Sequence, residues 1–264
     1  MNGDIEQHGF SVVANLFAHS EVESLLAALG SLSTAGRRGL LDVPAVAGLA
    51  VSEKLLKLVR PHVSNVPRPV RAIYFDKSAD ANWLVAWHQD LTLAVRERVD
   101  VPGFGPWSVK AGVPHVQAPV ELLEQMLAAR IHLDDCDETN GALRVLRGTH
   151  RLGRLSSERI QQLRKEHKDV VYHASAGDVM LMRPLLFTHQ GSRRGWGIEG
   201  FCTLSMPVSS CRMVCGGMWR GEVPRLFGLL NDSAARELSP QDHHSRRRDF
   251  GAVNAQFFEV CEPG

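Results

Sequence analysis

The sequence of 264 residues contains few cysteines and no pair of them at the CxxC spacing. Zinc fingers and disulfide frameworks are built on paired cysteines, so neither is expected to organise this chain. The five cysteines are an odd number, and four of them follow residue 200. We therefore expect a reduced, cytoplasmic protein, and the uneven distribution sets the last part of the chain apart.

The sequence also lacks a strong charge of either sign and a long apolar run. Its formal net charge of +1 gives no field that would recruit nucleic acid or an anionic membrane. Residues 43–51 (VPAVAGLAV) form the most apolar segment and are too short to cross a bilayer. The first ten residues have neither the basic region nor the apolar core of a signal peptide. Neither a nucleic-acid nor a membrane partner is expected, and the pattern indicates no oligomeric state.

A Gly-rich phosphate loop and a regular alternation of strands and helices are missing too, which argues against a doubly wound α/β sheet. Amphipathic helices at 20–32 and 52–63 open the chain, and short β-like runs follow, interrupted by one helix at about 156–167. This order predicts a mainly β fold with flanking helices. The predicted strands cover 70–77, 82–90, 129–135, 142–148, 170–174, 179–183, 185–192 and 200–208.

Two kinds of punctuation lie between the predicted strands. Asn140-Gly141 and Gly177-Asp178 are typical of tight turns. The stretch 97–120 is rich in proline and glycine and is interpreted as a long loop. A loop of that length in a compact domain is usually functional, and we expect it to serve as a lid.

The segment NWLVAWHQDLT (82–92) places His88 and Asp90 two residues apart on a predicted strand. Residues i and i+2 of a strand point to the same face, so the imidazole and the carboxylate should project together. With one more histidine they would form the two-His-one-carboxylate triad that holds Fe(II) and leaves positions open for other ligands. A strand-end histidine bonded to its neighbour is the other interpretation. A later strand-like run that carries His189 favours the metal site.

Several longer segments make the sequence similar to a known family. They are HGFSVV, RAIYFDK, WHQDLT, GFGPWSVKAGVPHVQ, RIHLDDCDETNGALRVLRGTHRLG and AGDVMLMRPLL. Over about residues 8 to 186 the chain resembles the phytanoyl-CoA dioxygenase family of Fe(II)/2-oxoglutarate oxygenases. The resemblance implies a double-stranded β-helix (a cupin-like jelly roll) and a small organic substrate oxidised with O₂. It also implies that 2-oxoglutarate chelates the iron and places its far carboxylate on an arginine from a late strand.

The resemblance assigns site residues one by one. His88 and Asp90 match the first two iron ligands, and Gln89, which lies between them as in many members, is assigned to binding of the cosubstrate. Trp107 matches a tryptophan that lies beside the cosubstrate, with a loop anchor packed on the core as the alternative. His189 is the candidate for the third ligand. With Trp107, the aromatic residues Trp83 and Trp87 are expected to wall the pocket.

After residue 186 the match to the family ends. The strand-like run 198–208 carries no arginine, and Arg193 and Arg194, in a glycine-rich turn, are the only candidates to bind the cosubstrate carboxylate. Read one base out of frame, suitable codons for 195–207 spell GHRRVLHLEYA, which resembles the family's arginine-bearing strand. We hypothesise that the coding frame slipped near residue 186, with the family's histidine encoded across codons 187 and 188. A displacement of one residue would turn His189 to the other face of its strand.

These observations predict one oxygenase-like jelly-roll domain at 1–210 and an atypical C-terminal tail at 211–264, out of frame or poorly ordered. The first hypothesis is an Fe(II)/2-oxoglutarate-dependent dioxygenase. The alternative is a jelly-roll binding protein without catalysis, because the arginine that anchors 2-oxoglutarate is missing. A third is a cupin-type metal enzyme that uses no oxoacid cosubstrate.

Overall fold

The computed structural model describes residues 4–30, 36–63, 66–76, 84–110, 112–191 and 200–206. Its helices are α1 (Ile5–His8), α2 (His19–Leu29), α3 (Pro44–Ala50), α4 (Glu53–Val59), α5 (Val120–Leu123) and α6 (Ser157–Glu166). Its strands are β1 (Phe10–Val13), β2 (Gly36–Arg37), β3 (Arg71–Asp76), β4 (Val85–His88), β5 (Thr92–Ala94), β6 (Trp107–Lys110), β7 (Val113–Gln117), β8 (Leu127–His132), β9 (Leu143–Leu146), β10 (Val170–Tyr172), β11 (Val179–Met182), β12 (Phe187–Gln190) and β13 (Gly200–Met206).

These strands form three antiparallel sheets. The largest has six strands in the order β1-β11-β8-β13-β3-β2, the second has four in the order β10-β9-β12-β4, and the third is β5-β7-β6. The six-stranded and four-stranded sheets enclose a shared apolar core. Its buried members are Phe10, Ala128, Leu143, Val145, Met180, Met182 and Leu186. Two facing antiparallel sheets with helices outside confirm the predicted mainly β class.

The N-terminal helices cover the outer face of the six-stranded sheet. On α2 the residues Val22, Leu25 and Leu29 form a buried stripe at helical spacing, as predicted. The helix begins at His19, one residue before the predicted start, because the Glu21 carboxylate accepts the Ala18 N–H at 2.7 Å. On α4 the Ser52 hydroxyl accepts the Leu55 N–H at 3.3 Å. Both predicted helices are therefore confirmed, with shorter bounds.

Strand β8 shows which side chains face the space between the sheets. Leu127, Ala129 and Ile131 belong to the core shared with the helices. Since side chains alternate along a strand, Arg130 and His132 point to the opposite face, into the interior. Both are fully buried.

Helix α6 covers the outer face of the four-stranded sheet. Leu163 of this helix packs with Leu146 of β9 and Phe187 of β12. Trp87 of β4 joins the same cluster. This contact assigns the outer face of β4 and β12, and it fixes by alternation which of their residues face inward.

The predicted loop at 97–120 is wrong in its second half. Strands β6 and β7 pair as a hairpin, and β5 joins them to make the three-stranded sheet. The glycine and proline signals misled because several of them lie at the ends of strands. Gly112 occupies the hairpin turn with φ +79°, and Pro114 still accepts a hydrogen bond from the Val95 N–H at 2.9 Å. Residues 107–110 and 113–117 are therefore strands of a sheet and not part of an irregular loop.

The predicted turns are confirmed with one change of context. Gly141 has φ +97°, and the Ala142 N–H donates to the Asp137 carbonyl at 2.9 Å. The turn joins β8 of the six-stranded sheet to β9 of the four-stranded sheet, so it does not close a hairpin within one sheet. Among the described residues no helix is both long and apolar enough to cross a membrane. The predicted tail at 211–264 lies outside the described residues.

Candidate functional site

His88 ends β4 and faces the interior between the two large sheets. In the pairing of β4 with β12, His88 lies opposite Thr188, and Thr188 lies opposite Val145 of β9. Directly opposed residues of antiparallel strands share a face, and Val145 belongs to the interior core. The imidazole of His88 is therefore directed into the barrel, as the metal-site prediction requires.

A backbone contact sets the orientation of the His88 ring. Its Nδ1 lies 2.8 Å from the Ala86 carbonyl oxygen. A carbonyl only accepts hydrogen bonds, so in the neutral imidazole this contact places the hydrogen on Nδ1 and the lone pair on Nε2. This is the arrangement in which metal-binding histidines are held by their surroundings.

Gln89 has a structural part instead of the predicted contact with the cosubstrate. Its amide nitrogen donates to the carbonyls of Gly153 at 2.8 Å and Leu185 at 2.7 Å. Its amide oxygen accepts the Leu155 N–H at 2.9 Å. Gln89 is buried and joins three segments, so its assignment to cofactor binding is corrected.

Asp90 follows directly, and its backbone is fixed to the segment that leads into β12. The Asp90 N–H donates to the Pro184 carbonyl at 2.9 Å. Its side chain borders a small cavity together with Ala128, an interior residue of β8. Gln89 points away to the 153–155 segment, and Asp90 lies two residues beyond His88, past the end of β4.

His189 of β12 lies on the outer face of the four-stranded sheet, whereas His88 of β4 lies on the inner face. Its ring stacks on Trp87 with centroids 5.1 Å apart and an interplanar angle of 21°. Together with Arg144, Arg164 and Asp169 it lines an open pocket beneath α6, outside the barrel. The prediction that His189 joins His88 and Asp90 is therefore corrected, because the register of β12 turns its side chain outward.

Thr188 occupies the inward position that sequence reasoning did not assign. It is 4% exposed, and Gln190, two residues further along the same face, is fully buried. The strand pattern of FTHQ gives no signal for this, because histidine is the residue type that a ligand search selects. The hypothesis of a displaced reading frame is the one sequence observation that pointed away from His189.

The aromatic wall predicted for the pocket is not formed as expected. Trp107 packs on the core of the three-stranded sheet, and the Arg98 guanidinium lies 5.5 Å from its ring centroid. These contacts match the alternative of a core anchor. Trp87 belongs to the outer face, and Trp83 lies outside the described residues. Arg193 and Arg194 also lie outside the described residues, so their predicted binding of the cosubstrate carboxylate stays a prediction.

The interior holds a second polar group that the sequence prediction missed. Arg130 and His132 point inward from β8, and the His132 ring meets Tyr172 edge-on at 5.6 Å. Burial, together with the nearby Arg130 charge, holds the pKa of His132 well below its ordinary value. Burial and the Asp178 carboxylate raise the pKa of Tyr172. Polar and apolar residues alternate within RIHLDD, and this alternation was the sequence signal for the cluster. The polar face of such a strand is usually expected to be exposed, so the signal was missed.

The described residues meet part of the requirement of a facial-triad metal site. His88 and Asp90 supply an imidazole and a carboxylate two residues apart, and the His88 tautomer that the Ala86 carbonyl favours suits a metal. Across the described ranges, however, no three His, Cys, Asp or Glu side chains lie close enough together to hold a metal ion. Two of the three protein ligands fit, and the third does not.

Comparisons with known proteins agree with this architecture. The sequence profile of the phytanoyl-CoA dioxygenase (PhyH) family matches residues 5–194. No curated protein matches the chain.

Three solved structures illustrate the likeness in fold. HygX from Streptomyces hygroscopicus, solved with nickel and 2-oxoglutarate bound, is 19% identical with a TM-score of 0.56, over 78% of this chain and 85% of that one. EctD from S. alaskensis, solved with 2-oxoglutarate and 5-hydroxyectoine, is 18% identical with a TM-score of 0.61, over 78% and 74%. AviO1 from Streptomyces viridochromogenes Tue57 is 17% identical with a TM-score of 0.54, over 78% and 92%. At these identities the likeness establishes the fold, and the predicted jelly roll is confirmed.

Proposed function

Because the chain belongs to the phytanoyl-CoA dioxygenase family, we propose that it is an Fe(II)- and 2-oxoglutarate-dependent dioxygenase that oxidises a small organic substrate. One observation carries the proposal. His88 faces the interior of a jelly roll with its Nδ1 held by the Ala86 carbonyl, and Asp90 borders the small cavity beside Ala128 of β8. An imidazole and a carboxylate at this spacing are better explained as ligands of ferrous iron than as a purely structural pair.

The residues around the pair hold it in position. The Ala86 carbonyl orients the His88 ring, and the Pro184 carbonyl fixes the backbone of Asp90. Gln89 lies between them, and its side chain is hydrogen-bonded to the backbone of Gly153, Leu155 and Leu185. Ligands supported in this way keep their geometry when an ion binds. When bound, the iron would activate O₂, which is the oxidant, and 2-oxoglutarate would be oxidised to succinate and CO₂ as the substrate C–H bond is oxidised.

The interior also offers a positive charge for an acidic cosubstrate. Arg130 brings a guanidinium into the space between the sheets, where apolar side chains such as Val145 and Met180 exclude water. Guanidinium groups bind carboxylates through two parallel hydrogen bonds, and this contact is strongest away from water. HygX and EctD were both solved with 2-oxoglutarate, which supports the same cosubstrate here.

Succinate formation from 2-oxoglutarate tests the proposal. With added Fe(II), the protein should form succinate above a blank that lacks iron. His88→Ala should abolish this signal, because it removes one of the two inward ligands. His173→Ala is the matched control, since His173 is exposed with 62% of its side chain accessible, and it should leave the rate unchanged. Succinate formation that survives His88→Ala would contradict the proposal.

A second candidate is a jelly-roll protein that binds a small molecule without catalysis. The outward position of His189 favours it, because the described residues leave the iron with two protein ligands. The charge-transfer band that appears when 2-oxoglutarate chelates Fe(II) separates the candidates under anaerobic conditions. The dioxygenase should show this band, whereas a non-catalytic binding protein, or a metal enzyme without an oxoacid cosubstrate, should not.

A further inference from the structure

We propose that position 188, and not 189, is the third ligand position of this metal site, so that Thr188 leaves the chain with a two-ligand half-site. The inference rests on the proposed function, because it completes the site that His88 and Asp90 begin. It concerns the strand register, which is independent of whether turnover occurs.

The register of the four-stranded sheet carries the proposal. Thr188 is the residue of β12 that lies directly opposite His88 on β4. Opposed residues in an antiparallel pair have Cβ atoms about 4.5–5.5 Å apart, which is within reach of a shared metal ion. The side chain of Thr188 also lies across from Val145, a member of the interior core. Among the residues of β12, position 188 alone combines the inward direction with the place opposite His88.

A slip of β12 that would bring His189 inward is strongly opposed. Moving the strand by one residue turns every one of its side chains over, so that fully buried Phe187 and Gln190 would change faces. The start of the strand is also pinned. The Thr149 hydroxyl accepts the Phe187 N–H at 2.9 Å and donates to the Leu146 carbonyl at 2.7 Å.

The displaced reading frame leads to the same position. Phe187 codons end in T or C and Thr188 codons begin with AC, so the triplet across them encodes histidine (CAC) or tyrosine (TAC). If one nucleotide was lost at or before codon 186, that triplet would be codon 188. The strand register thus makes 188 the inward position opposite His88, and the shifted triplet allows a histidine at that same position.

A threonine hydroxyl is a poor replacement for an imidazole. It is neutral and is not a typical ligand for iron in a site of this type, which takes two histidines and one carboxylate. We therefore expect weak metal binding by His88 and Asp90, improved when position 188 carries a metal-binding side chain.

Two cysteine variants at neighbouring positions test the direction of β12. Thr188→Cys is close to isosteric, so it should fold, and it should give a sulfur-to-cobalt charge-transfer band when Co(II) is added. His189→Cys is the matched control, because its thiol would lie on the outer face beside Trp87. Difference spectra against the unmodified protein remove the signal of the native cysteines. A band from His189→Cys and none from Thr188→Cys would overturn the inference.

Affinity for Co(II), measured by equilibrium dialysis, gives the second readout. Thr188→His should tighten binding on the order of 100-fold. Loss of a residue that only supports a metal ligand changes affinity by up to about 100-fold, and a direct ligand should contribute at least as much. Thr188→Val should not tighten it, and His189→Ala should leave it unchanged within about twofold. If His88→Ala weakens binding but Thr188→His fails to strengthen it, the inference is wrong while the proposed function stands. If His88→Ala has no effect even in the Thr188→His background, the proposed function itself fails.

Discussion

At the scale of single residues, one position along a strand separates a ligand from a surface side chain. Thr188 and His189 are neighbours in sequence, yet one faces the barrel interior and the other stacks on Trp87 outside it. Residue type alone selected His189 from the sequence. Which side chains of β12 face the interior depends on its pairing with β4 and β9, and a local sequence pattern does not specify that pairing.

Gln89 provides a prediction at this scale. Gln89→Leu keeps the bulk of the side chain but leaves the carbonyls of Gly153 and Leu185 and the Leu155 N–H without this partner. Unsatisfied buried groups are costly, so we expect the free energy of unfolding to fall by about 2–4 kcal/mol in urea denaturation.

The control for this variant is Gln161→Leu on the exposed side of α6, which should change stability by about 0.5 kcal/mol or less. Equal stability of the two variants would show that the Gln89 contacts are not structural. The sequence suggested Gln89 as part of the site because it lies between two ligands. Its true partners are more than sixty positions away along the chain, beyond any local signal.

At the scale of elements, the sequence predicted what repeats locally and missed what depends on pairing. The amphipathic stripe of α2 is a local pattern, and its spacing located the helix. The hairpin of β6 and β7 was missed because its strands are stabilised by β5, a strand from earlier in the chain. Proline and glycine at strand ends were taken for a loop.

The turn before β11 offers a prediction for an element boundary. Gly177 has φ +92°, and a Cβ at this position would lie 2.1 Å from the Phe17 carbonyl oxygen. The chain cannot retreat easily, since the Gly177 N–H donates to the His132 carbonyl and its own carbonyl accepts the Phe17 N–H. Gly177→Ala should lower the free energy of unfolding by about 3 kcal/mol or more.

Gly112→Ala is the control for backbone conformation without the clash. Gly112 has φ +79°, and a Cβ there meets nothing within 4 Å. Gly112→Ala should lower the free energy of unfolding by only about 1–2 kcal/mol, which is the usual strain of a left-handed residue. If thermal and urea unfolding showed equal losses for the two variants, the close approach of Gly177 to Phe17 would be refuted.

At the scale of the whole molecule, the polar interior links stability to pH. Burial and the Arg130 charge depress the pKa of His132, so the folded protein keeps this imidazole neutral at acidic pH values where the unfolded chain protonates it. Stability from such a group is present above the unfolded value of about 6.5 and declines as pH falls below it. The pKa of His150 is also lowered by burial and acts in the same direction.

We therefore expect the melting temperature to fall as the pH is lowered from about 7.5 to 5.5, a range in which carboxylates remain ionised. His132→Gln should flatten this dependence without removing it, because His150 remains. The flattening distinguishes the effect from general acid denaturation. An unchanged slope in His132→Gln would mean that His132 protonates equally well in the folded protein.

The whole-molecule architecture was the most predictable level. The family resemblance covered about residues 8 to 186, which lie within the profile match to residues 5–194, and it implied the jelly roll. What lay beyond prediction was the meeting of β4 and β12 in a register that leaves His88 opposite a threonine.

An anomalous difference map from a crystal soaked anaerobically with Co(II), recorded at the cobalt absorption edge, examines the site most directly. We expect a peak in the barrel interior about 2.0–2.2 Å from His88 Nε2 and from a carboxylate oxygen of Asp90, on the side that Thr188 faces. A peak at His189 in the pocket beneath α6, with none beside His88, would contradict the proposed metal site.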